Sequence, residues 1–143
     1  MSDPSAARSF LDAYRIAFET LDANVIADYF HYPFQVTSDA GAVSVTAVPS
    51  REAWLPQLER LVGAYRLIGV HTADVLSLEV DDLTPQLGQA TVHWGLVTAD
   101  HAPVYDFTAS YTLADLGEGT RITAIAHNES PRLRAYLEAH KPG

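Results

Sequence analysis

The chain has 143 residues, of which 48% are hydrophobic and 19% charged, and its formal net charge is −9. This composition excludes a disordered chain and suffices for a buried core, while the acidic balance argues against nucleic acid, whose phosphates need clustered Lys and Arg. The absence of cysteine excludes disulfides, thiolate nucleophiles and Cys-ligated zinc.

The ends and the hydropathy of the chain set further expectations. No stretch reaches 18 uninterrupted apolar residues, so we expect no membrane span and no membrane partner. The first residues, MSDPSAAR, lack the apolar core of a signal peptide. We therefore expect one domain over residues 1–143, located in the cytoplasm.

Two helices are predicted at the start of the chain. Asp3 before Pro4 is typical of a helix start, with an N-cap acceptor followed by proline at the first helical position. An apolar stripe then recurs at helical spacing: Phe10, Tyr14, Ala17, Phe18 and Leu21. Asp22 is predicted to cap a short second helix that continues through Phe30 and is stopped by Pro33.

A short hairpin and a third helix follow. The hairpin is predicted to turn at residues 38–41, SDAG. Ser50 can cap a helix that runs to about Tyr65, and Pro56 is expected to kink it or delay its regular start. The stripe of this helix is Trp54, Leu58, Leu61, Val62 and Tyr65.

From Gly69 the hydropathy pattern changes to a period of two, which predicts strands. One strand runs to Val80 and is followed by an expected loop over residues 81–88. A long hairpin comes next, and a turn at residues 116–119 leads into a last strand over residues 121–128. Ser130 with Pro131 is predicted to cap a final short helix.

The long hairpin, residues 89–113, is strongly two-sided. Because side chains alternate along a strand, one wall is apolar and the opposite wall is polar. The apolar wall consists of Val92, Trp94, Leu96, Tyr105, Phe107, Ala109, Tyr111 and Leu113, and the polar wall of Thr91, His93, Asp106, Thr108, Ser110 and Thr112. With helices early and strands late, the sequence predicts an α+β fold in which a curved antiparallel sheet wraps around the N-terminal helices.

This order resembles the nuclear transport factor 2-like superfamily, with its SnoaL-like cyclases and ketosteroid isomerases. The resemblance rests on FHYPF at residues 30–34, DFTASYTL at 106–113 and RITAIAHNE at 121–129. It implies a cystatin-like cone fold with an internal pocket. Residues expected to line that pocket are Phe18, Phe30, Phe34, Trp54, Leu58, Trp94, Leu96, Phe107, Ala109 and Asn128. The resemblance also implies that Ala124 and Ala126 face inwards while His127 points out.

The comparison with ketosteroid isomerases implies roles for single residues. Tyr14 matches the oxyanion-binding tyrosine, the general-base position falls on Ser38 beside Asp39, and the second acid falls on Ala109. That chemistry needs a carboxylate and two donors. With one of three groups matched, we expect a different activity from this family.

Candidate catalytic residues are therefore Tyr14 as a hydrogen-bond donor and Asp39 or Asp106 as a base. Each has a structural alternative: a core tyrosine, a turn aspartate, and a surface aspartate that pairs with His93 or His127. Two further acid–base pairs are His127 with Glu129 and His71 with Asp74. No metal-binding spacing of histidines or carboxylates is present, and no cofactor is expected.

The sequence leaves two functions open. The first is binding of a small hydrophobic molecule, with isomerisation, dehydration or cyclisation that needs no cofactor. The second is a non-catalytic ligand carrier or protein-interaction module. Both predict a homodimer that forms through the outer face of the sheet.

Overall fold

The computed structural model describes residues 4–140. Four helices and six strands follow one another along this part of the chain: α1 (Pro4–Glu19), α2 (Ala23–Ala27), β1 (Phe30–Asp39), β2 (Val43–Val48), α3 (Arg51–Ile68), β3 (Thr72–Thr84), β4 (Leu87–Val97), β5 (Pro103–Asp115), β6 (Thr120–His127) and α4 (Glu129–Ala139). The predicted cap at Asp3 lies outside the described residues.

The six strands form one sheet in the order β2-β1-β6-β5-β4-β3. All neighbouring strands are antiparallel except β1 and β6, which run parallel. Helices α1 and α3 cover the inner face of the sheet, and α4 packs against β5 and β1. The predicted α+β class, with a curved sheet around the N-terminal helices, is confirmed.

Helix ends follow local chemistry, with some shifts from the prediction. Asp22 caps α2 through a 3.0 Å bond from the Asn24 amide, but the helix ends at Ala27, and the segment predicted to continue it begins β1 instead. Ser50 caps α3 as predicted, and Gly69 ends it with a left-handed φ of 81°. Pro56 is the sixth residue of α3 and neither delays its start at Arg51 nor ends it, although a proline there cannot donate the hydrogen bond to the Glu52 carbonyl.

The predicted loop at residues 81–88 is wrong in extent. Strands β3 and β4 continue through most of it and turn only at residues 85–86. The polar segment DDLTPQLG does not by itself predict a strand. Pairing between β3 and β4 extends the strands into it, because the pairing provides hydrogen-bond partners for its backbone groups.

The apolar wall of the long hairpin forms the inner face of β4 and β5. Its members are buried, apart from the half-buried Tyr105. On the outer face, His93 Nε2 lies 2.5 Å from Asp106 Oδ2, and Thr91 donates to Ser110 over 3.2 Å. Of the two partners predicted for Asp106, His93 is the one that the structure shows.

Register shifts interrupt the strict alternation of neighbouring strands, and two of them decide which side chains of β3 and β6 face the core. In β3 the register shifts between Val75 and Ser77, which puts Leu76 on the outer face with 55% of its surface exposed. In β6 the register shifts at Thr123, which has no partner residue: Leu113 pairs with Ile122, and Thr112 pairs with Ala124. An extra residue in one strand moves every later side chain to the opposite face.

We predict that packing of α3 onto the sheet contributes much of the fold's stability. Leu58 is 1% exposed and Leu67, on the same helix, is 82% exposed. The substitution Leu58→Ala should lower the free energy of unfolding by about 2–5 kcal/mol, because it removes a buried side chain and leaves a cavity. The matched substitution Leu67→Ala should change it by no more than about 0.5 kcal/mol. Urea denaturation measures both, and equal losses would contradict this description of the core.

Candidate functional site

A cavity of about 120 Å³ lies between the inner face of the sheet and helices α1 and α3. Its walls are mainly aromatic and aliphatic: Tyr14, Phe18, Val36, Trp54, Leu58, Leu61, Tyr65, Ala73, Trp94, Leu96, Phe107, Tyr111, Ile125 and Leu133, with Arg15, His127, Glu129 and Ser130 as the remaining lining residues. An apolar cavity of roughly 150 Å³ can hold benzene. The space therefore suits a molecule of about one ring.

One carboxyl group lies in the wall of the cavity, that of Glu129, the first residue of α4. Its side chain is only 8% exposed, although it carries a carboxyl group. Two tyrosines stabilise it: the hydroxyls of Tyr65, on α3, and Tyr105, on β5, both donate to Oε2, the latter over 2.8 Å. Three separate elements thus meet at one carboxyl oxygen.

The other carboxyl oxygen, Oε1, is not part of these hydrogen bonds. No residue of the described chain donates a hydrogen bond to it. Among described side-chain atoms that are sealed from solvent, only Trp54 Nε1 lacks a partner. Since Glu129 lines the cavity and its Oε1 is not sealed, this oxygen is available to a molecule bound there.

Burial raises the pKa of Glu129 from its ordinary value of 4.5 to about 7, even though the two tyrosine hydrogen bonds act in the opposite direction. The carboxyl group can therefore both donate and accept a proton near neutral pH. Burial, and then the nearby carboxylate, raise the pKa values of Tyr65 and Tyr105 above the ordinary value of 10, so both remain hydrogen-bond donors.

A second hydrogen-bonded group lies on the same inner face. Trp94 Nε1 donates to the Tyr111 hydroxyl over 2.9 Å, and the Tyr14 hydroxyl is also hydrogen-bonded to that of Tyr111. Trp94 uses its only polar hydrogen in the first bond, and one of the two tyrosine hydrogens bridges the pair, so the other hydroxyl hydrogen is left for another acceptor. Burial raises the pKa of Tyr14, which keeps it protonated.

His127 also lines the cavity, which corrects the expectation that it points out. Its Nδ1 accepts a hydrogen bond from the Glu129 backbone amide over 3.1 Å, and burial lowers its pKa. The neutral ring therefore carries its proton on Nε2. The bulge at Thr123 is the cause, because it turns Ile125 and His127 inwards and leaves Ala126 exposed.

The structure brings part of the predicted site together. Seven predicted residues line the cavity: Tyr14, Phe18, Trp54, Leu58, Trp94, Leu96 and Phe107. Three others lie beside it without lining it. Phe30 and Phe34 pack around Trp54 at ring-centroid distances of 5.4 and 5.0 Å, and Ala109 is buried in the sheet.

The remaining predicted residues lie elsewhere. Asn128 directly precedes α4 without capping it through its side chain, whose Oδ1 accepts a bond from the Thr108 amide over 2.8 Å, on the outside of the cavity. Asp39 is exposed at the end of β1 and accepts from the Gly41 amide. Asp106 is on the outer face, where His93 and Arg132 contact it and lower the pKa of its carboxyl group.

From the sequence, Glu129 is predicted only as a partner for His127 and not as a residue of the pocket. A glutamate that follows a strand and begins a helix is usually a solvated first-turn residue, favoured by the helix dipole. Tyr65 lies on the predicted apolar stripe of α3 and Tyr111 on the apolar wall of the hairpin, patterns that are typical of core residues. Their closeness to Glu129 arises only in the folded chain, where α3 and β5 meet the junction between β6 and α4.

Within residues 4–140, no three His, Asp or Glu side chains gather in an arrangement that could hold a metal ion. Arg15 is the lining residue with a permanent positive charge, and it pairs with Glu19 at 3.1 Å and Asp12 at 3.7 Å.

None of the described helices combines the length and the apolar character needed to cross a membrane.

We predict that Glu129 makes stability depend on pH in a defined direction. Its pKa is raised in the folded state, so its contribution is fully present below pH 4.5 and is lost as the pH rises through about 7. Relative to Glu129→Gln, the wild-type free energy of unfolding should fall by roughly 3 kcal/mol between pH 4 and pH 8. Urea denaturation across this range measures the difference. Glu118→Gln, at an exposed turn, provides the matched control and should give a flat difference. A flat difference for Glu129→Gln as well would contradict the assignment.

Comparisons with known proteins agree with this fold. Among solved structures, an NTF2-like protein with a cystatin-like fold from Novosphingobium aromaticivorans superposes with a TM-score of 0.67 at 14% identity, covering 94% of this chain and 88% of that one. A putative calcium/calmodulin dependent protein kinase II association domain from Xanthomonas campestris gives a TM-score of 0.67 at 11% identity, covering 90% and 88%. The beta subunit of the benzoate 1,2-dioxygenase from Burkholderia mallei gives 0.65 at 12% identity, covering 90% and 91%.

These identities show the fold and no activity. No protein of curated function matches the sequence. The sequence profile of the family described as NTF2-like protein (DUF6841) matches residues 3–130, which is most of the chain. The chain belongs to this NTF2-like family.

Proposed function

We propose that the protein binds a small, mainly apolar molecule in the cavity and exchanges a proton with it through Glu129, without a cofactor. The observation that carries the proposal is a buried carboxyl group that lines an apolar cavity and has hydrogen-bond donors on only one of its two oxygens. A buried carboxyl group with a raised pKa is a frequent feature of catalytic sites, because it can work as acid and base at neutral pH. Isomerisation, dehydration and cyclisation are the reaction classes that fit.

Three groups have roles in this proposal. Glu129 carries the proton, and the hydroxyl hydrogen that the Tyr14–Tyr111 pair leaves free is the donor for a ligand oxygen. Tyr14 and Tyr111 both line the cavity, so their hydrogen-bonded hydroxyls act as one donor group. Asp39 and Asp106 have no part in it, because neither lines the cavity.

The size and lining of the cavity support the choice of ligand. Its volume of about 120 Å³ is well below the roughly 300–1,000 Å³ of pockets that hold drug-sized molecules. Aromatic walls favour a flat molecule, whose ring gains both area burial and edge or stacking contacts. A single-ring compound with one polar group meets these conditions.

We predict that filling the cavity abolishes binding. Ala73 lines the cavity on β3, so Ala73→Leu should remove the space for a ring. Benzyl alcohol at about 100 times its Kd should stabilise the wild type by about 2.7 kcal/mol, seen as a higher Tm, and should leave Ala73→Leu unshifted. Ala126→Leu is the matched control, because Ala126 is exposed on β6 and outside the cavity. The proposal fails if Ala73→Leu keeps the wild-type shift.

We propose secondly that the protein forms a homodimer through the outer face of the sheet, the arrangement that a non-catalytic carrier or interaction module would also use. The support is a surface of small hydroxyl side chains, including Thr91, Thr108 and Ser110, beside the exposed Leu76. Two structural neighbours are named as an association domain and as a subunit, which are assembling proteins by those names.

We predict a dimer mass in light scattering at micromolar concentration. Ser110→Arg on the outer face should shift the mass towards the monomer, because the bulky cation of each copy would meet like charge across the two-fold axis. Ser44→Arg, on the exposed strand β2, controls for the added charge and should remain dimeric. A wild-type monomer would refute the proposed dimer.

A further inference from the structure

The carboxyl group of Glu129 has hydrogen-bond donors but no cationic partner. Its Oε2 accepts from Tyr65 and Tyr105, which are neutral phenols, and none of the described Arg side chains pairs with it. A buried carboxylate normally has a positive partner, because desolvation of an unpaired charge is costly. When the group ionises, the protein provides no positive charge in contact with it.

The other titratable and charged groups around the cavity do not supply one. From β6, His127 is held neutral by burial, and its Nδ1 is already an acceptor. From α1 and β5, Tyr14 and Tyr111 contribute hydroxyls with raised pKa values. Arg15, also on α1, is paired with two carboxylates, so that cluster as a whole is negative.

The walls favour a cation as well. Seven aromatic side chains line the cavity: Tyr14, Phe18, Trp54, Tyr65, Trp94, Phe107 and Tyr111. The faces of such rings carry a negative electrostatic potential that attracts ammonium groups, most strongly in Trp and when the cation is desolvated. The net charge of −9 adds a long-range field of the same sign.

We infer that the natural ligand of this cavity carries a basic nitrogen, and that the protonated nitrogen binds Oε1 of Glu129 while its hydrocarbon part lies against the aromatic walls. This inference rests on the proposed function and names the ligand class for the same site. The ligand is a small primary or secondary amine with about one ring, because the cavity of about 120 Å³ admits little more.

Three single-ring probes that differ mainly in charge test the inference: benzylamine as cation, benzyl alcohol as neutral analogue and benzoate as anion. Isothermal titration calorimetry at pH 8, where Glu129 is mostly ionised, gives the three affinities. Benzylamine should bind about tenfold or more tightly than benzyl alcohol, since a hydrogen bond between charged partners is stronger than a neutral one. Benzoate should bind most weakly.

The pH dependence provides a second readout. An alkylammonium keeps its proton below about pH 9, whereas Glu129 ionises around pH 7. Benzylamine affinity should therefore rise several-fold from pH 6 to pH 8, while benzyl alcohol affinity stays constant. A pH-independent preference would contradict the role of Glu129.

Two variants complete the test. Glu129→Gln keeps the size and the acceptor oxygen of the side chain but removes its charge, so the preference for benzylamine over benzyl alcohol should disappear while the alcohol still binds. Glu118→Gln makes the same change in net charge at an exposed turn and should keep the full preference. Circular dichroism of each variant shows that it is folded before binding is measured.

The outcomes separate the two proposals. If no probe binds the wild type, the proposed function itself fails. If benzyl alcohol binds as tightly as benzylamine, or benzoate binds best, the cavity is a binding site but the inference of a basic nitrogen is overturned. If Glu129→Gln keeps the preference for the amine, the cation is held by the aromatic walls alone, and the assigned contact with Oε1 is wrong.

Discussion

The arrangement of the site depends on how one carboxyl group is kept inside an apolar cavity. Glu129 is buried, and its Oε2 accepts hydrogen bonds from two tyrosines that belong to different elements. These bonds offset part of the desolvation cost, and they also tie α3 and β5 to the junction between β6 and α4. The group therefore links local chemistry with the closure of the fold, because the same contacts that hold the carboxyl group hold the helices over the sheet.

The β6 bulge at Thr123 makes this arrangement possible. Without the extra residue, strict alternation from the buried Ile122 would turn Ala124 and Ala126 inwards and leave Ile125 and His127 on the outer face. With it, His127 lines the cavity and holds the Glu129 amide through Nδ1. One irregular residue in the sheet thus decides which polar groups face the ligand space.

Much of the fold follows from the sequence because the hydropathy periods are strong. The alternation in residues 89–113 identifies the inner wall of β4 and β5, and the stripe from Trp54 to Tyr65 identifies the helix that covers it. The caps at Asp22 and Ser50 depend on local side-chain chemistry and are also readable. Most of the aromatic pocket follows from these faces alone.

The polar part of the site does not follow in the same way. A bulge leaves no clear mark in the period of a short strand, so the face of residues 124–128 was predicted wrongly. The resemblance to ketosteroid isomerases directed attention to positions 38 and 109, which hold Ser38 and Ala109 and no acid. The carboxyl group of this cavity comes from a different element, the start of α4, and long-range contacts with two tyrosines define its environment.

The central claim is that Glu129 is a buried carboxyl group that changes protonation state near neutral pH. Selective ¹³C labelling of glutamate and an NMR titration of the side-chain carboxyl carbons test it directly, with Glu129→Gln identifying the resonance. The account predicts a midpoint at about pH 7 for Glu129, and a higher midpoint in Tyr105→Phe, because that substitution removes a donor that favours the ionised form. A midpoint near the ordinary value of 4.5 would show that the carboxyl group is solvated, and it would contradict the account.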